Sequence, residues 1–239
     1  MKGWTLKLRD GGSKYSRSRH KPFVKPRGIF GGNKSVKWGL FAVAACVLIV
    51  EFYNRAGPVR LTGPIDDVFH RHPDRLVIVY GTGGEDRGAL HQYALKVSRL
   101  LGSSLKQEIL VYPDSEVDKE LIEDYSIILY GPVEENLVAR DLKDYFPFKL
   151  ASGGVYLGDR FVSEDNWRMV FIIPNPFNTE HYVLVYTGPT AADVVGINLI
   201  EHPNFTHHDT TDYVLAVGSQ IVEQGYFDKS DETRWVLAR

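Results

Sequence analysis

Apolar runs without alternation, separated by segments of helical period, dominate the middle of the chain. Residues 76–80 (LVIVY) are continuously apolar, as expected of a strand covered on both faces. Gly81-Thr82-Gly83-Gly84 turns the chain. Leu90, Tyr93, Ala94, Val97, Leu100 and Leu101 then recur at i, i+3, i+4, i+7 spacing and predict a helix ended by Gly102. Residues 108–112 form a second strand closing in Pro113-Asp114, and 116–123 a short helix. Residues 125–130 make a third strand, stopped by Gly131-Pro132. A third helix spans 134–146, with Leu137, Leu142 and Tyr145 inward. Three βα units with short connections predict a parallel sheet with right-handed crossovers.

The pattern then changes. Residues 148–162 hold short strand candidates broken by Gly153-Gly154 and Gly158-Asp159. A longer strand over 167–173 ends at Pro174, and 182–186 (YVLVY) returns as a buried strand. Residues 190–200 follow as a helix, and 213–217 as the last clear strand. No internal repeat is visible. The expected fold class is α/β: a three-layer sandwich over 75–239, with a parallel βαβαβα half followed by a mixed, hairpin-containing half, behind one N-terminal transmembrane helix.

That helix rests on residues 38–50 (WGLFAVAACVLIV), thirteen positions without a charge. At about 1.5 Å a residue they reach roughly 20 Å, short of a ~30 Å hydrocarbon core. Val36 and Lys37 extend the run on one side, and Glu51, Phe52 and Tyr53 on the other. Lys37 can snorkel and the two rings suit the headgroup belt, so 38–53 can span with local thinning. A cleaved signal is disfavoured. A cut at Ala42-Val43-Ala44 would leave few apolar residues before it, and the lipoprotein-like box ending in Cys46 fails for the same reason. A transit segment or a buried core helix is the remaining alternative.

Charge orients the anchor. Of 28 Lys/Arg, 11 fall in residues 1–37 against the single acid Asp10. The other 17 meet 29 of the 30 acidic residues, so a net charge of only −2 hides a basic arm and an acidic body. The positive-inside rule keeps residues 1–37 in the cytoplasm as a disordered arm and places the α/β domain outside. Trp4, Tyr15 and Phe23 among the basic residues favour contact with anionic lipid; nucleic acid is the weaker partner. The only cysteine, Cys46, lies in the apolar run, so the exported part has no thiol chemistry and no Cys-ligated zinc.

Residues 54–74 read as a linker broken by Gly57-Pro58 and Gly63-Pro64, with Ile65, Val68 and Phe69 able to pack under the domain. His70-Arg71-His72 lies there, read as solvated for want of a carboxylate at ligand spacing. In open α/β sheets ligands bind outside the carboxyl ends of the strands. The candidate sites are therefore Gly81, Thr82 and Gly83, Asp114, Gly131 to Asn136, Pro174 to Asn178, and Gly188 to Thr190, expected on one shared rim.

The glycine loop offers backbone N–H groups to an anion. It has neither a P-loop lysine nor the third dinucleotide glycine, and Glu85 and Asp86 repel phosphate, so a tight turn is the favoured reading. Pro174 and Pro176 hold Asn175 extended, ready to orient a carbonyl or hydroxyl or to tie two loops together. His202, His207, His208, Asp209 and Asp212 are the densest metal-like cluster, but match no zinc module. Asn204-Phe205-Thr206 fits the glycosylation pattern. No Gly-x-Ser-x-Gly elbow occurs, and Glu134 and Glu135 read as the polar start of a helix. No cofactor and no metal are expected.

Three segments carry a family likeness: 77–82 (VIVYGT), 127–136 (IILYGPVEEN), and 173–178 (IPNPFN) with 182–185 (YVLV) and Gly188. Together, over residues 75–217, they resemble the α/β domain that accompanies esterase or prolyl-oligopeptidase-like modules in bacterial extracytoplasmic proteins. The resemblance implies that Gly131, Asn136, Asn175 and Asn178 occupy motif positions, and that the domain is accessory, without a triad of its own. This chain departs from the pattern by carrying no hydrolase module. The resulting expectation is a non-catalytic, membrane-anchored domain that binds a protein partner or a cell-envelope polymer. A hydrolase or transferase working through the strand-end loops is the alternative.

Overall fold

The structure is a computed structural model and describes residues 60–151, 153–162, 165–196 and 210–238. The basic arm and the apolar run 38–50 lie outside the described residues. Within them no helix is long and apolar enough to cross a membrane.

The described chain is a mixed α/β unit built on one seven-stranded sheet. Helix α1 (Asp67–His70) precedes β1 (Leu76–Tyr80), α2 (Arg87–Leu105), β2 (Leu110–Pro113), α3 (Lys119–Asp124), β3 (Ser126–Tyr130) and α4 (Leu137–Leu142). A three-stranded meander follows: β4 (Lys149–Ala151), β5 (Gly154–Leu157) and β6 (Arg160–Val162). The chain then returns to the main sheet with β7 (Trp167–Pro174) and β8 (Tyr182–Thr187), followed by α5 (Ala191–Val195), β9 (Tyr213–Val217) and β10 (Gln220–Gly225). A small ribbon, β11 (Phe227–Asp228) with β12 (Val236–Leu237), closes it.

The strand order is β10-β9-β7-β8-β3-β1-β2. Strands β2, β1, β3 and β8 are parallel, whereas β7 runs antiparallel to both its neighbours and β10 antiparallel to β9. All residues of β3 and β8 are buried, and successive side chains point to opposite faces, so cover lies on both sides. On one face α2 packs against β1 and β2, with Tyr93 edge-on to Tyr130 at 5.2 Å. On the other, Phe146 and Phe148 meet Phe171 of β7 at 4.9 and 5.3 Å.

Element boundaries move from the sequence expectation for identifiable reasons. Helix α2 passes through Gly102 and ends where Lys106 takes a left-handed conformation; Leu100, expected inward, is exposed. Helix α3 starts late because Asp118 caps it, accepting from Leu121 N at 2.8 Å. Asn136 caps α4 in the same way, which turns Val138, Ala139 and Leu142 inward instead of Leu137 and Tyr145. Residues 197–200 of the expected fourth long helix lie outside the described residues. Strand β10 lies outside the strands expected from sequence: it is mostly exposed, and its two large apolar residues, Ile221 and Val222, are adjacent and give neither alternation nor a continuous run.

The expected linker is, from Arg60 on, part of the α/β unit. Leu61, Ile65 and Val68 are buried, and Ile65 N donates to the Thr211 carbonyl at 3.0 Å. His70 and Arg71 have carboxylate partners after all, since α1 brings Asp66 and Asp67 one turn back to 3.4 and 3.3 Å.

Candidate functional site

The candidate residues divide between two ends of the sheet. Gly81 to Gly83, Asp114, Gly131 to Asn136 and Gly188 to Thr190 follow parallel strands and share the carboxyl-end rim. The loop 174–178 does not. Because β7 is antiparallel, its end pairs with the start of β8 (Pro174 opposite Tyr182) and lies at the far end. The single rim expected from the strand list is thus corrected by one reversed strand.

At that far end Asn175 and Asn178 hold two loops together. Asn175 is fully buried; its amide donates to the Ile122 carbonyl at 2.5 Å, and its Oδ1 accepts from Phe177 N at 3.0 Å. Asn178 donates to the Glu123 carbonyl at 2.8 Å. These carbonyls end α3, where a helix leaves acceptors without partners. Neighbouring groups are also engaged. The Tyr182 hydroxyl donates to Asp67 Oδ2 at 2.5 Å, and buried Asp212 accepts from Lys229 Nζ at 2.8 Å and Phe227 N at 2.9 Å. Burial, and then that bond to Asp67, push the Tyr182 hydroxyl well above the usual phenol range. Asp212 is the only described member of the metal-like cluster; His202, His207, His208 and Asp209 lie outside the described residues, as does Asn204 of the glycosylation pattern. Among the described residues, no group of three or more potential ligands could hold a metal.

On the rim, Asp114 has both carboxylate oxygens occupied. Oδ1 accepts from the Thr82 hydroxyl at 2.6 Å, and Oδ2 from Leu137 N at 2.7 Å. Asn136 is fully buried, accepting from Ala139 N at 3.0 Å and donating to the Tyr130 carbonyl at 3.2 Å. Gly131 has φ +141°, a conformation that favours glycine. The glycine loop lies against the 133–136 segment, with Gly83 N donating to the Glu135 carbonyl at 2.9 Å. A Cβ on Gly84 would fall on the Glu135 carboxylate, so this close approach requires the missing side chain. The loop therefore faces carboxylates, and an anion there would meet Glu85, Asp86 and Glu135. Partial burial raises the Glu135 carboxyl above its ordinary range, and the charges of Asp86 and Glu85 add to the effect.

Next to this rim a cleft of about 570 Å³ opens between the 132–135 turn, the meander and the 187–189 loop. Its floor is Trp167 and Thr187. Met169 pairs with Thr187 and lies two residues from Trp167, so both floor side chains leave the same sheet face, the one carrying Phe171. Trp167 is 4% exposed and Thr187 0%, and neither Trp167 Nε1 nor Thr187 Oγ1 has a hydrogen-bond partner among the described residues. Leaving such groups unmatched in a buried place costs about 1–3 kcal/mol each. Glu134 and Glu135 form one wall, and Leu150 and Gly153 the other.

Sequence reasoning missed Trp167 and Thr187, because each reads as one more residue of a buried strand. Glu134 and Glu135, expected at the polar start of a helix, lie in the 3-10 turn Val133–Glu135 that leads into the Asn136-capped helix, and they also line the cleft. No family model matches the chain, and no curated protein matches it.

Proposed function

We propose that this is a single-pass, membrane-anchored protein whose α/β unit binds a partner molecule or a cell-envelope component without transforming it, at the cleft beside the carboxyl-end rim. In this reading the apolar run 38–50 is the anchor, the basic arm lies on anionic lipid in the cytoplasm, and a three-layer sandwich stands outside. The observation that carries the binding role is the cleft itself, about 570 Å³ beside the carboxyl-end rim and lined by Glu134, Glu135, Leu150, Trp167 and Thr187. Asp114 and Asn136, the groups best suited by type to chemistry on this rim, are fully engaged in holding α4 and the glycine loop. The resemblance to an accessory domain of hydrolases points the same way.

A hydrolase or transferase is the second reading, and one observation favours it: a carboxyl of raised pKa, Glu135, beside a cleft is what a general acid requires.

The test is a thermal-shift screen on the full chain in detergent micelles, with nucleotides, sugar phosphates, cell-wall fragments and divalent metals. A ligand of the native state raises Tm by mass action. The expected result is a hit that disappears in Leu150→Trp, which fills the cleft, and that is recovered chemically intact. A hit converted to product, with turnover lost in Glu135→Gln, would give the enzyme reading instead. The anchor is tested separately: alkaline carbonate should leave the chain in the membrane pellet, and extraction into the supernatant would remove that part of the proposal.

A further inference from the structure

The chain leaves β1 for β2 on one side, and β3 for β7 and β8 on the other, so the loops after β1 and β3 diverge at the switch point of the sheet. Open α/β sheets leave a ligand crevice there. In this chain one residue, Glu135, takes that place. Gly83 N donates to its carbonyl at 2.9 Å. A Cβ on Gly81 or Gly83 would lie 2.9 Å from the same carbonyl oxygen, and one on Gly84 would fall on the carboxylate. The glycine loop is thus shaped around Glu135, and its carboxylate sits in the space that the missing side chain of Gly84 leaves. On its other side the same turn forms one wall of the cleft.

That seat suits a neutral carboxyl better than a charged one. Partial burial acts first, and the charges of Asp86 and then Glu85, just before α2, add to it. Glu134 is adjacent, with Lys143 at 3.7 Å from it. The seated carboxyl therefore keeps its proton above the ordinary value of 4.5; seating is complete below that pH and weakens as pH rises through the raised pKa. Glu135 is half-buried, so a change of rotamer takes the charge to solvent.

We propose that Glu135 is a proton-operated latch. With its carboxyl neutral it seats against Gly84 and holds the 132–135 wall of the cleft on the glycine loop; ionised beside Glu85 and Asp86, it leaves the seat and frees that wall. The latch goes beyond the binding reading and holds whatever the cleft binds.

The test is amide exchange followed by NMR on the full chain, ¹⁵N-labelled, in detergent micelles and without ligand. Gly83 N–H is the reporter, and Gly131 N–H, which donates to the Tyr186 carbonyl at 3.2 Å, is the reference. After correction for intrinsic rates, protection of Gly83 relative to Gly131 should fall about threefold from pH 4.5 to pH 7.5, the scale of one exposed charge interaction. Glu135→Gln should keep the ratio high at both pH values. Gly84→Ala should keep it low at both, since its methyl group displaces only the far end of a flexible side chain and leaves the fold intact. The double variant Glu85→Gln, Asp86→Asn should show a smaller fall, as should the wild type in about 1 M salt. A fall that survives undiminished in Glu135→Gln, in Gly84→Ala or in the double variant overturns the latch, as does a wild-type ratio that does not change with pH.

Discussion

The two ends of the sheet use polar side chains in opposite ways. At the far end, Asn175, Asn178, Asp212 and the Tyr182 hydroxyl are all matched to carbonyls, N–H groups or charges of the protein itself. At the carboxyl-end rim, matching stops at Asp114 and Asn136, and the next groups outward, Trp167 Nε1 and Thr187 Oγ1, are buried without partners. A buried polar group that is matched contributes to one fixed structure, whereas an unmatched one costs stability until something else occupies it. The far end is built for stability, and the rim leaves capacity unused. A preference for asparagine in loops would have treated both ends alike.

The largest effect expected on this comparison is at Asp212. Asp212→Ala strands Phe227 N and leaves Lys229 Nζ without its carboxylate, so it loosens the tie that Lys229 makes to residues 60–65 through the Thr62 carbonyl at 2.5 Å. Urea unfolding should show a loss of about 3 kcal/mol, in line with breaking a buried pair from one side. Next comes Asn175→Ala, which frees the Ile122 carbonyl and Phe177 N and should cost about 2 kcal/mol. Ligand binding at the cleft should be unchanged once the variant is folded. A stability-neutral Asn175→Ala with lost binding would reverse the roles assigned to the two ends.

Much of the fold was legible because the strands are continuous apolar runs, and a run of five or six such residues bounded by Gly or Pro admits few alternatives. Strands β1, β3 and β8 were placed to within a residue on that signal. Helix starts were less legible, since Asp118 and Asn136 act as caps only once the preceding chain is fixed by the 3-10 turns at Asp114–Glu116 and Val133–Glu135. The site failed for a different reason. Strand direction is not written in composition: the carboxyl-end rule puts the loop 174–178 on the shared rim, whereas β7 is antiparallel to both its neighbours and carries that loop to the other end. Trp167 and Thr187 could not be singled out, because lacking a partner is a property of the assembled sheet and not of either residue.

Thr187→Val sharpens the comparison from the other side. The exchange keeps the branched shape and removes a hydroxyl that is buried without a partner. Stability should therefore rise, by about 1 kcal/mol, the opposite sign to Asn175→Ala. A gain in stability joined to weaker ligand binding is the trade expected where an unmatched group is kept for function. If Thr187→Val is instead destabilised to the same degree as Asn175→Ala, the hydroxyl is matched and the cleft floor is structural.

The smallest effect tests the exception among the described residues of the far end, His181. It is 3% exposed, and its Nδ1 has no partner. Burial lowers its pKa first, then the neighbouring His72, whose ring lies 5.5 Å away, and Arg75; Glu180 and Asp124 oppose the shift more weakly. The folded pKa thus lies below the unfolded value of 6.5, so the unfolded chain takes up the proton first as pH falls. Stability is complete above pH 6.5 and declines as pH drops toward the folded pKa. Urea midpoints should fall from pH 7.5 to pH 5.5 in the wild type and fall less in His181→Phe. An equal decline in both would assign the acid sensitivity to other groups. The far end would then hold no unmatched group whose protonation affects folding, and the contrast with the cleft floor would become complete.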